Sequence, residues 1–415
     1  MFEKNGFEKN GFEKIGFEKN AMTQNVYEKD IIKDFIEYVK IKYAPAAAIS
    51  LHEPCFSGNE KAYVNETIDS TFVSSVGKYV ERLEQKIAAY VGSKYAVATV
   101  NGTTALEICL RLVGVASDDE VITQPLTFVA TCNAIAHCGA EPVFIDVDTA
   151  TLGLSPTHLR AWLNENAECV NRVCVNKKTG RTLRACVPMH TFGHPAQIDA
   201  IKAICEEYSI ALVEDAAEGL GSFYQGQHVG TFGQLAAFSF NGNKIITTGG
   251  GGMLVTDNQE LARQAKHLTT TAKVPHQWDY YHDQLGFNYR MPNINAALGC
   301  AQMEQLNQLL DLQRRLADSY QEYFSNSGNK LAEFIVEPKD SKSNYWLNAI
   351  LLENRAQRDI FLKATNESGV MTRPLWKLMH TLPMYQHCQR DQLSNAQWLE
   401  DRIVNIPSSV RIEKK

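Results

Sequence analysis

The sequence predicts an α/β fold with a mainly parallel central sheet, followed by a smaller C-terminal α+β unit. Between residues 95 and 257 short apolar runs alternate with amphipathic runs, at the interval that right-handed crossovers between parallel strands require. At 415 residues and 44% apolar composition the chain exceeds the roughly 250 to 300 residues that one core serves, so a second unit is expected. Composition changes near residue 330, after a long amphipathic helix, and the remainder reads as that unit.

The elements follow in order. The first 21 residues repeat a pentad, "FEKNG", "FEKNG", "FEKIG", "FEKNA", after Met1. A five-residue step turns each Phe about 140° from the last on a helix, so no apolar stripe forms and disorder is expected. Met22 then reads as a natural start. In "YEKDIIKDFIEYVKIKY", Ile31, Ile32, Phe35 and Val39 fall at helical spacing and Pro45 closes the helix. "GKYVERLEQKIAAYVG" predicts a second amphipathic helix. The alternation then runs "YAVATV" strand, "TTALEICLRLVGV" helix, "EVITQ" strand, "TFVATCNAIAHCG" helix, "EPVFIDV" strand. It continues with "ACVPMH", the helix "QIDAIKAICEEYS", and the strands "IALVEDA", "LAAFSF" and "GGMLVTD". In "VCVNKKTGRTL" a Lys-Thr-Gly turn between two β-like runs predicts a small hairpin. The division expected is 1–21 disordered, 22–305 leading segment and large unit, 306–415 linking helix and small unit.

Several function classes fall away. A net charge of −6 without a basic cluster argues against a nucleic-acid backbone as partner. The ten cysteines form no C-x-x-C pair and several lie in apolar runs such as "EICLRLVGV", which predicts reduced core thiols in a cytoplasmic protein, with no metal site. No apolar stretch approaches ~18 residues and no basic-then-apolar leader opens the chain, so neither membrane nor export is expected.

Four places gather chemistry at the carboxyl edge of the expected sheet, where ligands of open α/β sheets bind. "VNGTTALEICL" ends a strand in Asn-Gly and opens a helix with Thr103 and Thr104, whose amides and hydroxyls suit a phosphate, although an ordinary capped helix start looks the same. The segment lacks the Gly-Lys-Ser/Thr of a P-loop. "IALVEDAAEGLG" ends a buried strand in Glu214 and Asp215, an N-cap or an ion partner for a ligand. "FSFNGNKIITTGGGG" places Ser239 and Lys244 just past another strand. "PLTFVAT" sets Phe128 after a third, as a flat face or a plain core aromatic. A phosphate cradle, a carboxylate, a ring face and an amine are what pyridoxal phosphate requires. Its aldehyde needs a lysine, its ring nitrogen an anion, and its phosphate a helix start. The four glycines are not the G-x-G-x-x-G of a dinucleotide fingerprint; they are expected to let the backbone after Lys244 pass close to cofactor or substrate.

"NGTTALEICLRL", "QPLTFVATCNAI", "EPVFIDVD", the run from Val213 to Asp257 and "GFNYRMPNINAALGCAQM" together resemble the DegT/StrS family of pyridoxal-phosphate sugar aminotransferases, from about Phe56 to Val410. The resemblance implies the type I fold of PLP-dependent transferases, like aspartate aminotransferase. It makes Lys244 the catalytic lysine, Asp215 the partner of the ring nitrogen and Phe128 the stacking face. Gly102, Thr103, Thr104 and Ser239 would hold the phosphate, and Asn288 would reach the phosphate of a neighbouring subunit's cofactor, which implies a homodimer with shared sites. Glu218 stands where many members carry Gln or His beside the cofactor's 3′ oxygen. The family's Ser-Gly-Thr is here Asn101-Gly102-Thr103, a change in the turn. His190, Arg290 and Arg373 are expected on the substrate side.

The implied reaction is ping-pong: glutamate leaves its amino group as pyridoxamine phosphate, and a 4-keto nucleotide sugar takes it. "MTRPLWKLMHTLPMY" and "AQWLEDRIVNIPSS" most resemble the branch acting on a UDP-linked 4-keto-6-deoxy-N-acetylhexosamine, for surface sugars of the legionaminic acid or bacillosamine type. Two alternatives stand beside it. One is a related 3-dehydratase, which replaces the lysine with histidine and is opposed by Lys244; the other is a non-catalytic regulator on the same fold.

Overall fold

The computed structural model describes residues 30–44, 46, 48–326 and 332–412. The pentad repeat lies outside them. The central sheet has seven strands in the spatial order Tyr95–Thr99, Gly252–Thr256, Leu235–Ser239, Ala211–Asp215, Leu183–Val187, Glu120–Thr123, Glu141–Phe144. From Leu235–Ser239 outward to Glu141–Phe144 every neighbouring pair is parallel, as the strand–helix alternation predicts. Gly252–Thr256 runs antiparallel to both its neighbours. The chain returns to it from Ser239 without a helix, and a parallel return needs a helical crossover.

Local rules account for the helices that matter here. Lys78–Val91 buries Tyr79, Val80, Leu83, Ile87 and Val91 along one face, and stops at Gly92, whose φ of 82° suits glycine. Gly102–Leu112 is capped by Asn101, whose side chain accepts from Thr104 N–H. The helix expected from Thr127 begins at Val129, because Phe128 is extended and serves as its N-cap. The expected hairpin gains a strand. Asn171 and Arg172 turn Ala167–Val170 onto Val173–Asn176, and the Lys-Thr-Gly turn then leads into the central sheet, with Arg181 O accepting from Asn176 N–H at 2.9 Å.

A second, antiparallel sheet runs Ala332–Phe334, Asn348–Leu352, Ile403–Ile406, Arg373–Pro374. Its core is closed from an unexpected quarter. Residues 30–42 are helical, and Ile32, Phe35 and Val39 pack with Tyr320, Phe334 and Phe361; the Phe35 and Phe361 ring centroids stand 5.2 Å apart. Burying one such side chain is worth roughly 1.5 to 3 kcal/mol. The expected division grouped this helix with the large unit, whereas its apolar face belongs to the C-terminal core. Among the described residues no helix is long and apolar enough to cross a membrane.

Candidate active site

The parallel strands Ala211–Asp215 and Leu235–Ser239 end side by side, with Ala237 paired to Asp215. Their carboxyl ends, the start of Gly102–Leu112 and the start of Val129–His137 enclose a cavity of about 360 Å³. Gly102, Thr103, Phe128, Thr131, Asp215, Glu218, Ser239 and Lys244 line it, joined by Trp346 and Trp376 from the C-terminal part. A larger recess of about 430 Å³ near Arg263 and His267 has no comparable set of groups.

Close backbone approach builds the cradle. A Cβ on Gly102 would fall 2.9 Å from Ser239 Cβ, so only glycine lets the helix start meet the strand end. One on Gly252 would fall 2.3 Å from Asn101 O. Gly252 thus seats the antiparallel strand against the Asn101–Gly102 turn, and none of the four glycines lines the cavity, contrary to the expected approach to a ligand. First-turn N–H groups of a helix have no intrahelical partner, and those of Gly102 and Thr103 stand at the cavity. Thr104 turns away, since its N–H and hydroxyl both go to Asn101.

The two adjacent acids have opposite fates because successive side chains of a strand point to opposite faces. Asp215 faces the cavity, where Oδ2 accepts from the Thr131 hydroxyl at 2.7 Å and Oδ1 from Ala217 N–H at 3.1 Å. Burial raises its pKa against the pull of these bonds and of Lys244. Glu214 faces the other way. It accepts from the N–H groups of Gly230, Phe232 and Gly233, each at 2.7 Å, and meets His190 Nε2 at 3.1 Å. Burial opposes its charge, but His190 and these N–H groups outweigh it, so its pKa is lowered.

Lys244 Nζ lies 3.1 Å from Glu218 Oε1 and 3.6 Å from the centre of the Trp346 ring. The other carboxylate oxygen of Glu218 accepts from Phe192 N–H at 2.9 Å. Phe192 is held at φ 59°, a strained position for a side chain of its size. Burial is the main influence on Glu218 and pushes it up to about 7, against the pull of Lys244 and Phe192. Trp346 is fixed by two bonds: its indole N–H donates to Asn243 O, and its backbone N–H donates to Asn344 Oδ1 at 2.8 Å. Asn344 also donates to Glu218 O at 2.7 Å, tying the tryptophan to the strand end. Trp376 lies edge-on to Phe128 with centroids 6.3 Å apart.

Residues 54–415 match the DegT/DnrJ/EryC1/StrS aminotransferase family. The chain belongs to that family. It is similar to the GDP-perosamine synthases of Escherichia coli O157:H7, 36% identical over 89% of this chain and 94% of the other, and of Caulobacter vibrioides, 35% identical over 87% and 93%. Among solved structures it is similar to the aminotransferase TlmJ from Streptoalloteichus hindustanus, with a TM-score of 0.78 and 26% identity over 87% of this chain and 94% of that one. A DegT/DnrJ/EryC1/StrS aminotransferase from Brucella abortus gives 0.75 and 27% over 84% and 90%.

An aminotransferase of this family takes pyridoxal 5′-phosphate, and the donor set fits. The cavity holds an amine at Lys244, a buried carboxylate at Asp215, a ring face at Phe128 and the first turn of a helix at Gly102 and Thr103. Four other expected residues stand elsewhere. His190 is fully buried beneath the strand, with Nδ1 accepting from Ala196 N–H and Nε2 against Glu214, so it has nothing left for a substrate. Arg373 donates to Asn366 Oδ1 and Thr372 O outside the cavity. Asn288 is exposed and Arg290 half-buried, and neither lines this chain's cavity. Outside the site, Glu141, His387 and Cys388 bring ligand-type atoms within 4.8 Å of one another, but Arg181 already pairs with Glu141 at 2.7 Å.

Proposed function

We propose that this aminotransferase places an amino group on the C4 position of a nucleotide-linked 4-keto-6-deoxy sugar, with glutamate as donor. The observation that carries the reading is the convergence of Lys244, Asp215 and the Gly102–Thr103 helix start on one cavity. Bound there, pyridoxal 5′-phosphate supplies an aldehyde that carries the amino group between substrates and a ring that withdraws electrons from the reacting carbon. Asp215, oriented by Thr131 and Ala217, keeps a proton on the ring nitrogen. Gly102, Thr103 and Ser239 bind the phosphate, and Phe128 orients the ring. Lys244 Nζ, as a free amine, moves the proton at the amino-bearing carbon, and Glu218 Oε1 is the adjacent acceptor. Trp346 and Trp376 narrow the cavity and exclude water from that proton.

The tail motifs support a UDP-linked 4-keto-6-deoxy-N-acetylhexosamine, in surface-sugar synthesis of the legionaminic acid or bacillosamine type. The names of the perosamine synthases support a GDP-linked sugar as a second reading. Purified protein with glutamate and a panel of UDP- and GDP-linked 4-keto sugars separates the two, with products read by mass and NMR. Turnover of the UDP-linked N-acetylhexosamine alone supports the first reading, and turnover of the GDP-linked sugar alone replaces it with the second. Failure of every keto sugar, with cofactor bound, overturns both.

The site is further proposed to be shared between two copies of the chain in the cytoplasm. What supports this is that Asn288 and Arg290, the residues the resemblance assigns to cofactor and substrate, do not line the cavity of their own chain. Residues 276–285 beside them expose Trp278, Tyr280, Tyr281 and Leu285, an apolar content suited to a protein contact.

A further inference from the structure

The strands Ala167–Val170 and Val173–Asn176 pair with Cys169 directly opposite Cys174. Their two-residue turn has both central residues left-handed, Asn171 at φ 51° and Arg172 at φ 64°, which matches the natural twist of a hairpin. In such a hairpin the pair next to the turn, Val170 with Val173, is the hydrogen-bonded one. Cys169 and Cys174 are therefore a non-hydrogen-bonded pair, with Cα atoms about 4.5 Å apart and side chains on one face. That spacing lies within the range a disulfide spans, roughly 4.4 to 6.8 Å. The two thiols are already in contact, with Sγ atoms 2.6 Å apart.

The pair is also asymmetric in access. Cys169 is exposed and Cys174 buried, and burial pushes the Cys174 thiol well up. A solvent-facing sulfur thus stands over one that solvent does not reach, the arrangement of an attacking and a resolving thiol. Cys186 and Cys205 also interact, but both are buried, at 0% and 1% exposure, and no reagent reaches either.

We propose that Cys169 and Cys174 form a dithiol modification site that reacts with low-molecular-weight disulfides and closes as a cross-strand disulfide. The Cys169 thiolate attacks one sulfur of RSSR, forms Cys169–S–S–R and expels RS⁻, which takes up the proton Cys169 gave. Cys174 then gives up its proton as its sulfur attacks Cys169 Sγ, and the second RS⁻ leaves and is protonated. Two protein thiols are oxidised, one small disulfide is reduced to two thiols, and the protons balance. The site lies apart from the active-site cavity and its chemistry does not depend on the cofactor.

The test treats the full chain with oxidised glutathione, blocks free thiols with an alkylating reagent, and maps peptides by mass. The expected product is a Cys169–Cys174 disulfide, with little glutathione left on Cys169 and the buried cysteines alkylated only after denaturation. Cys174→Ser should trap glutathione on Cys169, and Cys169→Ser should leave Cys174 unmodified. A trivalent arsenical, phenylarsine oxide, requires two sulfurs in reach and should bind the native chain but neither variant. Glutathione persisting on Cys169 in the native chain as much as in Cys174→Ser would overturn the proposal. So would recovery of both thiols alkylated, or an arsenical stoichiometry that the variants do not change.

Discussion

Glu218→Gln offers a direct physical check on the site, because it isolates one buried acid. In the folded chain the carboxyl is almost completely enclosed, and burial pushes it up from 4.5 to about 7 despite the Lys244 and Phe192 contacts. Below pH 4.5 the group is protonated in both folded and unfolded chains, so it favours neither. Between 4.5 and about 7 the folded chain holds the proton more tightly, and stability falls as pH rises; above 7 both states are ionised and the folded chain bears the full penalty. At 1.36 kcal/mol per pH unit the loss is ~3 kcal/mol. Glutamine keeps the size and the bond from Phe192 N–H but has no proton to lose. Denaturant unfolding of cofactor-free wild type and variant should therefore diverge from pH 5 to pH 8, with the variant gaining ~2.5 kcal/mol relative to wild type across that window. Buried groups that do not interact with Glu218 cancel in the difference, and Lys244 and Asp215 are the two that do interact. Parallel stability profiles over pH 5 to 8 would refute the assignment of a strained buried carboxyl at Glu218.

Three further outcomes are expected. Lys244→Ala should fold with an unchanged melting temperature to within a few degrees yet lose the visible absorption of bound cofactor and all multiple turnover; sustained cycling would show that another amine carries the chemistry. Asp215→Asn should lower kcat by a hundredfold or more while cofactor remains bound, since the lost anion acts in the transition state, and a drop under tenfold would point to a different acid. If the site is shared, a dead Lys244→Ala chain mixed with a dead Asn288→Ala chain should regain activity through one intact hybrid site per dimer; no recovery after verified subunit exchange would confine the site to one chain.

The sheet was legible because each strand and helix announces itself by local periodicity. Direction was less so. "GGMLVTD" is buried along its length and reads the same either way, and only the helix-free return from Ser239 tells that it runs antiparallel. The packing of residues 30–42 onto Tyr320 and Phe361 joins segments about 300 residues apart in sequence, and amphipathic spacing says that a face is buried, never against what. Within the site, residues at strand ends and helix starts were found where expected: Gly102, Thr103, Phe128, Asp215, Ser239 and Lys244. Thr104 was misplaced because Asn101 takes its N–H, an Asx cap that the Asn-Gly-Thr-Thr string does signal. His190 was misplaced because its partner, Glu214, lies on the neighbouring strand. Trp346 and Trp376 were missed altogether, since loops of the tail carry no periodicity to tell which cavity they reach.

The back-to-back acids of Ala211–Asp215 set a constraint on how this chain can vary. Glu214 needs its full length to collect three amides and His190 on one face, and Asp215 needs its shorter arm to sit between Thr131 and Ala217 on the other. A slip of Ala211–Asp215 by one residue against its neighbouring strands would turn the strand over and exchange them, leaving the loop at Gly230–Gly233 without its anion and the cavity with the wrong acid. The register of this strand is therefore fixed by two acids at once, one on each face. A library meant to change the sugar accepted should hold residues 211–215 and the buried Trp346 fixed and randomise Trp376, which lines the cavity and is only partly buried.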